Sequence, residues 1–245
     1  MSLLSQIEFK CRAGETVVAV LIDPDDVPHI DSLTDTVRRA EAAGADCFFA
    51  GGSLITGASD IDLVKALKEI SALPVAVFPS SPAQIHPDAD ALLFLSLISG
   101  RNPEYLIGHH VTAAPLLRKS GIEVIPVGYM LVDSGSATTA SYISHTAPLP
   151  RNKPEIAAST ALAGEMLGLR MLYLDAGSGA DRPVTPEMVA AVKSWTTVPL
   201  AVGGGIRTAE EARILIEAGA DVIVTGNGSR DNPQLLTDLC ALKKV

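Results

Sequence analysis

The sequence predicts an α/β protein, built as a single (β/α)8 barrel of the TIM type in one domain over residues 1–245. Eight short apolar runs rich in β-branched residues recur along the chain, and amphipathic helical stretches separate them. Each run is continuous rather than alternating, as in parallel strands that are buried on both faces. No linker or low-complexity tract divides the chain, and its length of 245 residues suits one barrel.

The elements alternate regularly from the first run to the last. The predicted strands are Val17–Asp23, Cys47–Ala50, Pro74–Phe78, Ala91–Leu97, Glu123–Tyr129, Met171–Asp175, Pro199–Val202 and Asp221–Thr225. The predicted helices are Ser32–Ala43, Ile61–Ser71, Pro103–Lys119, Pro154–Leu167, Pro186–Trp195, Ala209–Ala218 and Pro233–Lys243. Segments 41–53 and 216–229 resemble each other, and each reads as a helix end, a glycine, a strand and a Gly-rich loop. A doubly wound open sheet is the alternative, but no GxGxxG motif follows the first strand.

The composition argues against several classes of partner and location. A formal net charge of −9 and only 4% aromatic residues do not suit binding of nucleic acid. The 3 cysteines are widely separated, which fits a reducing compartment and offers no zinc ligand set. The N-terminus lacks a signal-like apolar region, and no apolar run reaches the ~18 residues of a membrane span. We therefore expect a cytoplasmic protein without a stable membrane span.

In a barrel of this kind, functional residues follow the strands. The first strand ends in IDPDD, where Asp23, Asp25 and Asp26 offer hard oxygen donors of the kind that Mg²⁺ prefers. The same residues are also ordinary formers of turns and helix caps. The second strand ends in AGGS, where Ser53 either faces the barrel mouth or caps the next helix.

Small residues follow the last three strands. The sixth ends in YLDAGSG, so that Asp175 would stand at the barrel rim before a loop able to wrap an anion or a hydroxyl group. The seventh and eighth end in VGGGIRT and TGNGS, the position at which such barrels commonly bind phosphate. Arg151, Asn152 and Lys153 lie after the fifth strand and either hold a second anionic group or form a solvated loop.

Missing motifs narrow the chemistry. No lysine lies inside a predicted strand, which disfavours a Schiff-base aldolase. No HxH, HExxH or GxSxG motif is present. Phosphate binding, Mg²⁺ and one carboxylate suit the departure of a diphosphate. A sugar-phosphate isomerase or epimerase, and a phosphometabolite-binding barrel without catalysis, remain the alternatives.

Five motifs, taken together and in this order, resemble those of the geranylgeranylglyceryl phosphate synthase family. They are LIDPDD, AGGS, YLDAGSG, VGGGIR and TGNG. The resemblance implies transfer of a geranylgeranyl or related polyprenyl group from its diphosphate to the hydroxyl of sn-glycerol 1-phosphate, which forms an ether lipid precursor. It also implies Mg²⁺ as cofactor and a homo-oligomer.

The resemblance assigns roles to particular positions. Asp23 and Ser53 would coordinate Mg²⁺ with the prenyl diphosphate, and Asp175 would orient the glycerol hydroxyl or accept its proton. The residues implied to hold sn-glycerol 1-phosphate are Tyr173, Leu174, Asp175, Ala176, Gly177, Ser178, Gly179, Gly204, Gly205, Gly226 and Asn227. Two positions depart from the family, because Asp175 stands where Glu is usual, and Leu21 stands where one branch has Lys.

Overall fold

Eight parallel strands close into a barrel in chain order, which confirms the predicted (β/α)8 architecture. The computed structural model describes residues 1–54, 61–226 and 232–244. The first and last strands pair with each other and so close the barrel. The strands are β1 (Val17–Ile22), β2 (Cys47–Ala50), β3 (Val75–Val77), β4 (Ala91–Leu97), β5 (Glu123–Leu131), β6 (Met171–Asp175), β7 (Leu200–Gly203) and β8 (Val222–Thr225).

Helices surround the barrel and match the predicted ones to within a few residues, with two additions. The helices are α1 (Leu3–Arg12), α2 (Ile30–Ala43), α3 (Leu63–Ile70), α4 (His109–Ser120), α5 (Thr139–Ser144), α6 (Pro154–Met166), α7 (Pro186–Trp195), α8 (Ala209–Glu217) and α9 (Pro233–Ala241). A π-helical turn over Glu104–Gly108 leads into α4. The additions are α1 and α5. No helix in the described ranges is long and apolar enough to cross a membrane.

Aspartates fasten the barrel at the end where the strands begin. Just before β2, β4 and β8, an aspartate accepts a hydrogen bond from a backbone N–H of the preceding strand, at 2.7 or 2.8 Å. Each of these carboxylates also pairs with a lysine, in the pairs Asp46–Lys10, Asp90–Lys68 and Asp221–Lys193. The start of each strand pair is thereby held in register, and the opposite end of the barrel carries the loops.

The helix α1 covers the same end of the barrel. Its residues Leu3, Leu4 and Ile7 are buried and belong to the core inside the barrel. The Glu123 carboxylate at the start of β5 accepts the N–H groups of Leu3 at 2.7 Å and Leu4 at 3.3 Å, and so satisfies two N–H groups of the first helical turn. Because this end is covered, ligands have access from the other end.

We predict that Ile7→Ala lowers the free energy of unfolding by about 2–4 kcal/mol, because it leaves a cavity in a packed core. Equilibrium unfolding in urea measures this change. The control is Phe9→Ala on the same helix, where the side chain is 64% exposed, so that we expect a change within about 0.5 kcal/mol. Equal effects of the two changes would show that α1 does not cover the barrel as described.

Candidate active site

A cavity of about 360 Å³ opens at the end of the barrel where the strands finish. We call it the mouth cavity. Its walls come from strand ends and from the loops that follow them, as expected for this architecture. Its lining includes Asp23, Gly52, Ser53, Phe78, Tyr129, Tyr173, Asp175, Gly177, Ser178, Gly179, Gly204, Gly205, Arg207 and Gly226. The mouth cavity therefore brings together most of the residues that the sequence singles out.

Asp175 ends β6 and is buried at the base of the mouth cavity. The Tyr129 hydroxyl donates a hydrogen bond to Asp175 Oδ2, and the Gly177 backbone N–H donates to Oδ1 at 2.7 Å. Burial raises the pKa of Asp175, although both hydrogen bonds act in the opposite direction. A carboxylate of raised pKa, held in one orientation, is suited to accept a proton.

Three aromatic rings pack around this carboxylate. Phe78, Tyr129 and Tyr173 contact one another edge to face, with ring centroids 5.4 to 5.8 Å apart. Burial, together with the charge of Asp175, raises the pKa of both tyrosines well above their ordinary value of 10.0. Both phenols therefore stay protonated at neutral pH. Tyr129 acts as a hydrogen-bond donor towards Asp175, and Phe78 adds an apolar wall.

The loops after β6 and β7 touch each other through glycine. A Cβ added to Gly204 would lie 2.6 Å from Gly177 N, and one added to Gly205 would lie 2.7 Å from the Arg182 carbonyl carbon. Gly204 also has φ +80°, a conformation that other residues rarely adopt. The sequence predicts these glycines as bare backbone for phosphate. The structure shows a further reason for them, because the neighbouring loop occupies the space of a side chain.

Asp23 and Ser53 line the mouth cavity just after the ends of β1 and β2. A Cβ on Gly52 would lie 1.9 Å from Asp23 Oδ2, so the carboxylate rests directly against the backbone that precedes Ser53. Asp23 Oδ1 accepts the Asp25 N–H at 3.0 Å and caps a short 3₁₀ turn. Asp23 thus caps a turn and also lines the mouth cavity. The cap of α3 is Asp62, not Ser53.

The side chains of Asp23 and Ser53 suit a magnesium site that takes few of its ligands from the protein. No group of three or more His, Cys, Asp or Glu able to hold a metal occurs in the described ranges. Mg²⁺, however, commonly takes one or two carboxylates from the protein and completes its shell with water and substrate phosphate. Asp23 and Ser53 supply hard oxygen donors at the wall of the mouth cavity, which is what such a shell requires.

Some predicted residues lie elsewhere. Leu174 and Ala176 are buried in the core between the strands and the outer helices and do not line the mouth cavity. The Ala176 N–H is also taken by the Gly203 carbonyl at 3.0 Å. Their placement therefore gives no support to a side-chain role in binding. Asn227 lies outside the described residues, so its predicted role stays a prediction.

The cationic loop after β5 lies outside the mouth cavity, which favours the solvated loop among the two alternatives that the sequence leaves open. Arg151 donates through Nη1 to the Pro183 carbonyl at 2.5 Å and does not line the mouth cavity. Its neighbours Asn152 and Lys153 do not line it either, and both are exposed, as expected of a solvated loop. Arg151 thus supports the loop after β6 from outside.

Three residues of the lining, Phe78, Tyr129 and Arg207, are not among the site residues predicted from the sequence. Phe78 and Tyr129 end apolar runs, whereas the prediction covers the residues after each run, and within VGGGIRT it covers the glycines and not Arg207. The alternation of side chains along β5 indicates where Tyr129 points, since Val127, Tyr129 and Leu131 all belong to the core inside the barrel. A side chain that points into the barrel near the end of a strand and carries a polar group is therefore expected to line the mouth cavity.

An apolar groove runs beside the mouth cavity, between the end of β4, the helix α4 and the helix α5. We call it the side groove. Its walls are predominantly apolar and aromatic, and include Leu92, Phe94, Leu95, Leu97, Tyr105, Ala113, Leu131 and Ile143. The side groove and the mouth cavity share Gly52, Ser53, Phe78 and Tyr129, so the two adjoin at these residues.

The fold and the site define a (β/α)8 barrel whose mouth cavity adjoins an apolar groove. The chain belongs to the PcrB family, whose model matches residues 13–243. This membership and the names of the relatives confirm the resemblance that the motifs indicate.

Curated relatives are similar over most of their length. A geranylgeranylglyceryl phosphate synthase from Spirosoma linguale is 52% identical over 230 residues, which cover 94% of this chain and 92% of the relative. The enzyme of the same name from Thermococcus gammatolerans is 47% identical, over 84% of this chain and 81% of the relative. A crystal structure of (S)-3-O-geranylgeranylglyceryl phosphate synthase from Thermoplasma acidophilum, in complex with its substrate sn-glycerol-1-phosphate, has a TM-score of 0.91 and 36% identity. It is matched over 100% of this chain and 99% of that one.

Proposed function

We propose that the protein is a Mg²⁺-dependent prenyltransferase, which transfers a geranylgeranyl or related polyprenyl group from its diphosphate to a hydroxyl of sn-glycerol 1-phosphate. The observation that carries the proposal is the junction of the two spaces. The mouth cavity and the apolar side groove meet at Gly52, Ser53, Phe78 and Tyr129. A reaction that joins a small phosphate ester to a long isoprenoid needs this combination. The names of the relatives support the same reaction.

The phosphate of the acceptor would lie against the loops after β6, β7 and β8. These loops contribute Gly179, Gly204, Gly205 and Gly226 to the wall of the mouth cavity, and backbone N–H groups there can hold phosphate. The glycerol end would then point towards Asp175 at the base of the cavity. Anchoring one end of the acceptor fixes the position of its hydroxyl and removes much of the entropic cost of the reaction.

The isoprenoid chain of the donor would lie in the side groove, and its diphosphate at the junction beside Asp23 and Ser53. When bound there, Mg²⁺ would neutralise the charge that develops on the leaving diphosphate. As the bond from the allylic carbon to the diphosphate oxygen breaks, the electron pair leaves with the diphosphate and the carbon becomes cationic. The rings of Phe78 and Tyr129 stand at this junction and would stabilise that charge.

Asp175 would complete the reaction. The glycerol hydroxyl oxygen bonds to the allylic carbon while its proton passes to the Asp175 carboxylate. Tyr129 and the Gly177 N–H keep that carboxylate in place. The raised pKa of Asp175 makes the carboxylate a stronger base than an exposed one.

A product assay tests the proposal. Purified protein is incubated with sn-glycerol 1-phosphate and with geranyl, farnesyl, geranylgeranyl or heptaprenyl diphosphate, with Mg²⁺ or with EDTA, and products are identified by mass. We expect a prenylated glycerol phosphate with Mg²⁺ and none with EDTA. The sn-glycerol 3-phosphate enantiomer is the matched control and should react far more slowly. Absence of prenyl transfer in every reaction would contradict the proposal, and metal-independent conversion of a sugar phosphate in a parallel assay would instead identify an isomerase.

We predict that Gly204→Ala raises the KM for sn-glycerol 1-phosphate by about 10-fold or more, because the new Cβ displaces the loop that carries Gly177. The KM for the prenyl diphosphate should change less. The control is Gly168→Ala, since Gly168 has a similar φ of +94° but nothing within 4 Å of the added Cβ. Both variants carry the same backbone strain, so only a clash at the site separates them. An equal rise of both KM values in Gly204→Ala would indicate general distortion.

Homo-oligomerisation and a cytoplasmic location stay predictions. Exposed apolar side chains occur on α4, α5 and α6, among them Val111, Tyr142 and Ile156, and such side chains are compatible with contacts between copies of the chain. Light scattering of the purified protein would determine the oligomeric state.

A further inference from the structure

The charge of the mouth cavity does not match its proposed ligands. Among the described residues that line it, the charged ones are Asp23, Asp175 and Arg207. Two carboxylates and one cation thus face a space proposed to receive a phosphate monoester and a diphosphate. A Mg²⁺ ion at Asp23 would offset charge on the donor side only. Within the described lining, Arg207 is the one side chain with a positive charge to offer the acceptor.

Arg207 is held in a fixed position. Its Nη1 donates to the Asp181 carbonyl and its Nη2 to the Ala180 carbonyl, both at 2.8 Å. Its backbone N–H donates to the Glu211 carboxylate at 2.8 Å. A guanidinium has five N–H donors, so these two side-chain bonds leave further donors for a ligand. Since the head group is already oriented, little side-chain entropy remains to be lost when an anion binds.

The position of Arg207 in the chain places this charge at the phosphate loops. Arg207 follows directly on Gly204, Gly205 and Ile206, all of which line the mouth cavity. The two carbonyls that it binds belong to the loop after β6, just beyond Gly177 and Gly179. Arg207 thereby joins the two loops between which the acceptor phosphate is proposed to lie.

Arg151 provides a natural comparison. It binds the same loop, at the Pro183 carbonyl, but it lies outside the mouth cavity. Both arginines can support the loop after β6, but only Arg207 can also present its charge to a ligand in the cavity.

We propose that Arg207 is a specificity-determining residue, which binds the acceptor phosphate and favours its dianion over its monoanion. The proposal rests on the proposed function in one respect, namely that a phosphate monoester occupies the mouth cavity. An arginine paired with phosphate forms charge-assisted hydrogen bonds whose strength grows with the charge of the anion. The second pKa of a phosphate monoester is about 6, so the preference is measurable near neutral pH.

The test compares Arg207→Gln with Arg151→Gln. The dissociation constant of sn-glycerol 1-phosphate is measured by calorimetry at about pH 5.5 and about pH 7.5, on either side of the phosphate pKa of about 6. We expect wild type and Arg151→Gln to bind more tightly at the higher pH. Arg207→Gln should bind about 10-fold or more weakly at the higher pH, because a charge-assisted bond is lost. Its affinity should also depend much less on pH.

A structural role alone would give a different result. If Arg207 only supports the loop, both variants lose affinity alike and keep the pH dependence of wild type, which would overturn the proposal. A selective rise of the prenyl diphosphate KM in Arg207→Gln would overturn it too, since the charge would then serve the donor. If Arg207→Gln does not fold, Arg207→Lys replaces it in the test, and its affinity should keep the pH dependence of wild type. Failure of wild type itself to bind sn-glycerol 1-phosphate would instead contradict the proposed function.

Discussion

Asp175→Asn is expected to lower kcat by about 10²- to 10⁴-fold, the usual contribution of a positioned proton acceptor. The amide has nearly the shape of the carboxylate but cannot take the proton of the glycerol hydroxyl. The KM for sn-glycerol 1-phosphate should change little, because the phosphate end is held by other loops. Steady-state kinetics with each substrate varied in turn separates these two effects.

Two further variants show how the carboxylate works. Asp175→Glu restores the residue that is usual in the family and should keep most of the activity. Tyr129→Phe keeps the base but removes the hydrogen bond to Asp175 Oδ2, so we expect a smaller loss of kcat, by about 10-fold. If Asp175→Asn raises only the KM for the acceptor, Asp175 is a binding residue, and the diphosphate becomes the proton acceptor.

The raised pKa of Asp175 makes two pH-dependent effects observable. Activity requires the ionised carboxylate, so kcat should fall with decreasing pH at a pH above the ordinary Asp value of 3.8. Stability changes in the opposite sense. Because the native state binds this proton more tightly than the unfolded state, ionisation at rising pH lowers the free energy of unfolding.

Wild type should therefore lose stability relative to Asp175→Asn as pH rises above 3.8, the ordinary value of the carboxyl. Urea unfolding of both proteins at several pH values measures the difference. A difference that is constant with pH would contradict the burial of an ionisable group at this position.

Asp23→Asn is expected to lower prenyl transfer by at least about 10²-fold, because a bound Mg²⁺ supplies several kcal/mol of stabilisation to the leaving diphosphate. The fold should be unaffected. An asparagine Oδ1 can still accept the Asp25 N–H and so keep the cap of the 3₁₀ turn. The activity that remains should require a higher Mg²⁺ concentration than wild type, which a titration of the metal measures.

Asp25→Asn is the matched control for this change. It removes the same charge two residues away, on a side chain that does not line the mouth cavity. We expect nearly full activity from it. Full activity of Asp23→Asn in EDTA-treated protein without added metal would eliminate a role of Mg²⁺ at this position.

The barrel was predictable because its strands are encoded locally. Continuous apolar runs such as Ala91–Leu97 carry their own signal, and the observed bounds of that strand are the predicted ones. The helices α1 and α5 were missed for a physical reason. Leu3 and Ile7 are buried only because α1 packs against the end of the barrel. The helix α5 has six residues, is rich in Ser and Thr, and depends on its cap at Thr138.

Site residues that directly follow strands could be predicted from the sequence. Contacts that depend on tertiary structure could not. Asp23, Ser53 and Asp175 could be named from their positions after apolar runs. The hydrogen bond from Tyr129 to Asp175 joins side chains 46 residues apart, and no local pattern encodes it. The close contact of Gly204 with the loop of Gly177 likewise depends on how two neighbouring strands end, not on spacing along the chain.

A crystal structure with both substrates would test the central claim most directly, namely that acceptor and donor meet at the junction of the mouth cavity and the side groove. The ligands are sn-glycerol 1-phosphate, the unreactive geranylgeranyl thiolodiphosphate, and Mn²⁺ as an anomalous scatterer in place of Mg²⁺. We predict the acceptor phosphate at the loops after β6 to β8, its hydroxyl at Asp175, the isoprenoid in the side groove and Mn²⁺ at Asp23. An isoprenoid outside the side groove, or an acceptor hydroxyl remote from Asp175, would contradict the account.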